Sequence, residues 1–131
     1  MHSQETMIHW AKGYEGALGD ESQSDAYFSP EKAHWTYFQH FDEVELLAHN
    51  IGLNSPQEAR EWLESEIKMF EEEGHEHRAK DYRSMLDGPI EEEIIVGDGK
   101  VNGKHLWDGC HRIAGAYAQG ITVPAIVGTL K

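Results

Sequence analysis

One cysteine, four prolines and eleven basic residues mark what this 131-residue chain has little of. A lone cysteine has no partner for an internal disulfide, which excludes a secreted scaffold stapled by bridges. Eleven Lys and Arg against 24 Asp and Glu give a formal net charge of −13, and no basic run occurs anywhere. A phosphate backbone repels such a chain, which argues against autonomous nucleic-acid binding. No apolar stretch approaches the roughly 18 residues of a membrane span, and the N-terminus lacks the charged-then-apolar layout of a secretory signal. The expectation is a soluble, cytoplasmic protein with no membrane partner.

What the chain does have is four Trp, five Tyr and four Phe within a 39% hydrophobic composition. That suits a modest core and argues against disorder, and the length suits one domain. Three stretches are expected. Residues 1–29 form a polar lead-in with room for mobility, in which Met7 to Trp10 docks or forms a short helix. Residues 30–87 form a helical half, and residues 88–131 a β-hairpin, helix and strand core.

In the helical half, Ser29-Pro30 has the form of an N-cap followed by Pro in the first helical position. Ala33, Trp35, Tyr37, Phe38, Phe41, Val44, Leu47 and Ala48 approximate a helical stripe to about Asn50, broken near Phe41-Asp42, with Gly52 as C-cap. Ser55-Pro56-Gln57-Glu58 is a capping box, and Ala59, Trp62, Leu63, Ile67 and Phe70 follow at helical spacing up to Gly74. A further helix runs from about Glu76 to Leu86 and stops at Gly88-Pro89. The acidic runs, Glu71-Glu72-Glu73 among them, are solvated faces or recruit a basic protein partner.

From Ile90 the period changes. Glu93 to Val96 and Lys104 to Trp107 are β-type runs around a glycine-rich tip, Gly97 to Gly103, and read as a hairpin. Cys110 to Gln119 reads as a helix stopped by Gly120. Thr122 to Val127 is a last strand, whose Pro124 suggests an edge position or a strand start.

Between hairpin and helix lies Asp108-Gly109-Cys110-His111-Arg112. The first amides of a helix lack carbonyl partners and carry partial positive charge, so an anion can sit on them. Arg112 can hold phosphate oxygens with its fork of donors, or tie the motif to a carboxylate. Cys110, beside His and Arg at a helix start, stands where a thiol pKa falls. His111 packs, donates to phosphate, or acts as acid and base. Asp108 caps the turn, or ligates Mg²⁺, or serves as general base for a hydroxyl acceptor. His75-Glu76-His77 invites a metal reading, but no second motif completes such a site.

The order of these parts resembles the ParB/sulfiredoxin superfamily over Gly88 to Gly128. Sulfiredoxins carry Gly-Gly-Cys-His-Arg at this turn, and Gly109-Cys110-His111-Arg112 is similar to all but its first position, where Asp108 stands. ParB proteins carry a related Gly-Glu-Arg-Arg that binds nucleotide phosphates. The resemblance implies an α+β fold, a small mixed β-sheet or partial barrel with helices, preceded here by the helical half. It implies a nucleotide, ATP or another triphosphate with Mg²⁺, whose phosphates rest on the Gly109 to Arg112 amides, His111 and Arg112. Lys80 and Ser84 lie on the helix that also touches nucleotide in sulfiredoxins. On this reading the protein hydrolyses the nucleotide or transfers its phosphoryl group, with Cys110, His111 and Asp108 as catalytic groups and Asp108 on the metal. The alternatives are a non-catalytic nucleotide-sensing or interaction module, and a sulfiredoxin-like thiol repair enzyme.

Overall fold

The computed structural model describes residues 2–18, 30–98 and 103–130. Among the described residues five α-helices and four strands make a small α+β protein. The elements run α1 (Gln4–Leu18), a 3-10 turn (Pro30–Lys32), β1 (Ala33–Phe41), α2 (Val44–Asn50), α3 (Pro56–Glu72), α4 (Glu76–Ser84), β2 (Ile94–Asp98), β3 (Lys104–Asp108), α5 (Cys110–Gln119) and β4 (Val123–Leu130).

The strands form one open mixed sheet in the order β1-β4-β2-β3. β4 pairs antiparallel with β1 and parallel with β2, and β2 pairs antiparallel with β3. Parallel neighbours need a crossover, and β3 followed by α5 supplies it. Of the expected small mixed β-sheet or partial barrel, the mixed sheet is seen, and it is open.

The stretch expected as a helix from Ser29 to Asn50 is corrected. Ser29 lies outside the described residues; Pro30 opens a 3-10 turn, a nine-residue strand follows, and only Val44–Asn50 is helical. The half before residue 88 is therefore not all helical. The reason is a period-2 pattern inside the aromatic set: Ala33 and Trp35 are buried, Tyr37 half-buried, and His34, Thr36 and Phe38 exposed. Aromatic and β-branched side chains suit a pleated surface with one buried face. Trp35 is anchored further by its indole N–H, which donates to the Pro30 carbonyl at 2.8 Å.

The two faces of the sheet carry separate cores. On one side α2, α3, α4 and α5 bury Leu47, Leu63, Ile113, Ile94, Val96 and Val123 with their neighbours. On the other, α1 lays Met7 and Ala11 over Trp35, Trp107, Ile95 and Ile126. Docking of the Met7 to Trp10 segment is thus seen, within a longer helix than expected, and residues 19–29 of the lead-in lie outside the described residues. α1 is tied to the β1 edge by Gln4, whose amide accepts from Trp35 N (2.8 Å) and donates to Trp35 O (2.5 Å).

Other expectations hold. Ser55 caps α3 by accepting from Glu58 N at 3.1 Å, with Pro56 in the first turn. The hairpin and α5 fall where they were read, except that Gly97 and Asp98, read as part of the tip, end β2; residues 99–102 of the tip lie outside the described residues. Pro124 is not on an edge strand, since β4 is flanked on both sides. It sits at the strand's second residue, outside the β2 ladder, which begins at Ala125, and opposite the β1 register shift between Phe38 and Phe41. There a missing N–H breaks no ladder bond. Among the described residues no helix is long and apolar enough to cross a membrane.

Candidate functional site

The turn from β3 into α5 places the motif. Asp108 ends β3 opposite Ile95, and Gly109 takes φ +111°, a conformation open to glycine. A Cβ there would also lie 2.5 Å from Ile94 Cγ2, so the position excludes other residues on two grounds. No side chain caps the first turn of α5. Its early amides therefore keep the donor capacity and partial positive charge of a helix start.

The opposite wall comes from the end of α4 and the segment after it. Gly115 of α5 packs directly on the Met85 backbone, leaving no room for a Cβ. Gln119 then fixes the segment: its amide donates to Met85 O (2.8 Å) and Gly88 O (2.9 Å) and accepts from Gly88 N (2.8 Å). Two cavities open between these walls. One of about 540 Å³ is lined by Arg78, Asp81, Tyr82, Ser84, Glu92 and Arg112 among others. The other, of about 380 Å³, is lined by Tyr82, Met85, Trp107 and residues 108–112. They share Tyr82, Met85 and Arg112 and so form neighbouring parts of one groove, within the size range of small-molecule sites.

Arg112 is held by three acceptors. Nη1 donates to the Glu93 carbonyl (2.9 Å) and to Asp108 Oδ2 (3.4 Å), and Nη2 to Glu92 Oε2 (2.9 Å). Its Nε is buried without an acceptor. His111 points to the α3 and α4 side. Its ring stacks on Tyr82 (4.1 Å between centroids, 10° between planes) and on Trp62 (5.0 Å, 24°), and Nε2 donates to Glu66 Oε1 at 3.2 Å. Glu66, Trp62 and Tyr82 were not read as site residues from the sequence. Glu66 had a recoverable signal: it lies between the buried Leu63 and Ile67 of α3 and is itself only partly exposed.

Cys110 is exposed as a residue, but the expectation of a lowered thiol pKa is corrected. Loss of solvent around the sulfur pushes the thiol up, and the Asp108 carboxylate pushes it further; a backbone hydrogen bond opposes both without reversing them. Desolvation and a neighbouring negative charge both disfavour a thiolate.

The residues expected on α4 divide. Ser84 lines the larger cavity, with its hydroxyl donating to Asp81 O at 2.5 Å. Lys80 is exposed and lines neither cavity. His75 and His77 face Glu73 (3.9 Å) and Asp81 (3.8 Å) respectively. Among the described residues no group of three or more His, Cys, Asp or Glu could hold a metal ion. Asp108, the residue expected on Mg²⁺, pairs with Arg112 at 3.4 Å. A dedicated metal cage therefore does not fit these residues. A Mg²⁺ ion that takes its ligands from phosphates and water, with one carboxylate added, still does.

Compared with protein-family models, curated proteins and solved structures, the chain matches none.

Proposed function

We propose that this protein binds a nucleoside triphosphate, carried with Mg²⁺, in the groove between α4, residues 89–92 and the start of α5, and acts on its phosphate chain. The observation that carries this reading is that the first turn of α5, which no side chain caps among the described residues, and Arg112 beside it both line the groove. Helix-start amides without a side-chain cap, the helix dipole and a planar cation together favour a phosphate. Arg112 would neutralise charge on the phosphate chain, and Asp108 is the carboxylate placed to meet an accompanying cation or an acceptor hydroxyl. His111, oriented by Glu66, would hold or move a proton at the edge of the smaller cavity.

A second reading is a non-catalytic nucleotide sensor. It is favoured by the commitment of each polar motif side chain: Asp108 and Arg112 to one another, His111 to Glu66, and Cys110 as the protonated thiol. The raised thiol also weighs against the thiol-repair reading, which needs a thiolate. The exposed acidic face would then offer itself to a basic protein partner.

The test is thermal unfolding of wild type and Arg112→Ala with ATP, CTP, GTP, ADP and NAD, each with and without Mg²⁺. A ligand at about 100 times its Kd adds roughly 2.7 kcal/mol, a rise of several degrees in Tm. The expected result is a Mg²⁺-dependent rise with one nucleotide that is lost in Arg112→Ala. No rise with any of them removes the nucleotide reading. Turnover abolished by Asp108→Ala with binding retained supports the enzyme over the sensor.

A further inference from the structure

The larger cavity contains a contradiction in charge. A site for an anion is lined by Asp81, Glu91 and Glu92 against Arg78 and Arg112, and Arg112, the cation it shares with the smaller cavity, is already paired. The pairing is uneven. Toward the interior, Arg112 meets Asp108, whose side chain is 17% exposed; toward solvent it meets Glu92, whose side chain is 77% exposed. Arg112 itself is 19% exposed, and the geometry that reaches Glu92 leaves Nε buried without an acceptor.

We propose that Glu92 is a latch: it holds Arg112 in a resting position, and a phosphorylated ligand enters by taking Glu92's place on the guanidinium. This inference rests on the phosphate reading of the groove and concerns the regulation of that same site. Three observations support an exchange. Glu92 and Arg112 line one cavity, so the ligand and the carboxylate compete in the same space. An ion pair with so exposed a partner is weak, since water and salt replace it readily. In the resting position the buried Nε also has no acceptor among the described residues, so this geometry carries the cost of an unpaired donor. The inner partners, Asp108 and the Glu93 carbonyl, keep the guanidinium anchored during the exchange.

The latch is tested in two ways, with wild type, Glu92→Gln and Asp87→Asn. Asp87 is exposed, lies on the same connecting segment and lines neither cavity, so its variant makes the same change in charge elsewhere. The first readout is the Arg112 Nε–H resonance without ligand. Slow exchange with solvent is expected in wild type and Asp87→Asn, and faster exchange in Glu92→Gln. The second is calorimetric affinity for ATP with Mg²⁺ and for inorganic pyrophosphate. Binding about two- to fivefold tighter is expected in Glu92→Gln, the range set by an exposed ion pair, with a smaller change in Asp87→Asn.

Fast Nε–H exchange in wild type overturns the latch whatever binds. Equal tightening in Asp87→Asn and Glu92→Gln also overturns it, because the effect is then general charge. Binding by wild type that Glu92→Gln leaves unchanged removes the latch and spares the nucleotide reading. No binding of either probe by any variant removes the latch, and the nucleotide reading falls with it only where the thermal series also shows no rise with any nucleotide.

Discussion

At Cys110 two opposing influences meet within one turn. The start of α5 favours negative charge, by about 0.3–1 kcal/mol for an exposed group near a helix end. Desolvation of the sulfur and the adjacent Asp108 carboxylate disfavour it, and the thiol lies above its ordinary value of 9.0. Alkylation of the folded protein by iodoacetamide is therefore expected to be slow near neutral pH, with a midpoint in its pH–rate profile above 9.0. Asp108→Asn should bring the midpoint down, because it removes one of the two causes. The same shift sets a sign for stability. A thiol whose folded pKa is raised contributes fully below the unfolded pKa, and the contribution is lost as pH rises through the folded value. Urea midpoints should fall at alkaline pH, and Cys110→Ser should flatten that limb. A midpoint below 9.0 would restore Cys110 as a candidate nucleophile.

At the scale of elements, legibility followed the strength of local chemistry. α3 announces itself through Ser55, Pro56 and Glu58, and the cap bond from Glu58 N to Ser55 is present. α5 is bounded by Gly109 and Gly120, both with positive φ, and both ends were readable. β1 was not. Trp35, Phe38 and Phe41 of β1 run on into Val44, Leu47 and Ala48 of α2, and a register shift between Phe38 and Phe41 breaks the alternation. Read as one segment, that mixture imitates a helical stripe. Of the two readings of Pro124, the strand start holds and the edge position does not, because the flanking of β4 by β1 depends on a pairing that no local pattern contains. The motif was legible in the site, but its partners were not. Glu66, Trp62 and Glu92 lie 45, 49 and 20 positions from the residues they meet, on elements whose docking decides the contact. The cap gives an element-scale prediction. Ser55→Ala should destabilise the protein by about 1 kcal/mol, read from urea unfolding, while Ser55→Asp should leave stability nearly unchanged. An equal loss in both variants would mean that the cap bond contributes little.

At the scale of the whole molecule, charge is the unbalanced quantity. Twenty-four acidic residues and eleven basic ones occupy one small protein, for a net −13. The described ion pairs are mostly at the surface: Arg83 with Glu71, Lys104 with Glu43 at 2.5 Å, Arg112 with Glu92 at 2.9 Å. Each such pair contributes about 0–1 kcal/mol, and salt weakens it. Self-repulsion among the remaining carboxylates acts in the opposite direction and over longer distances. The Debye length falls from about 30 Å at 0.01 M salt to about 8 Å at 0.15 M. The long-range repulsion is therefore screened over this interval, while contacts near 3 Å lose only part of their strength. Tm at pH 7 should accordingly rise between 0.01 and 0.15 M NaCl. A fall in Tm would show that the few local pairs outweigh the excess charge. Glu92→Gln removes one acidic charge, which flattens the rise of Tm with salt, and one ion pair, whose loss steepens it. Because that pair is exposed and weak while the excess charge acts over longer distances, the first effect should win, and the Tm of Glu92→Gln should depend slightly less on salt than that of wild type.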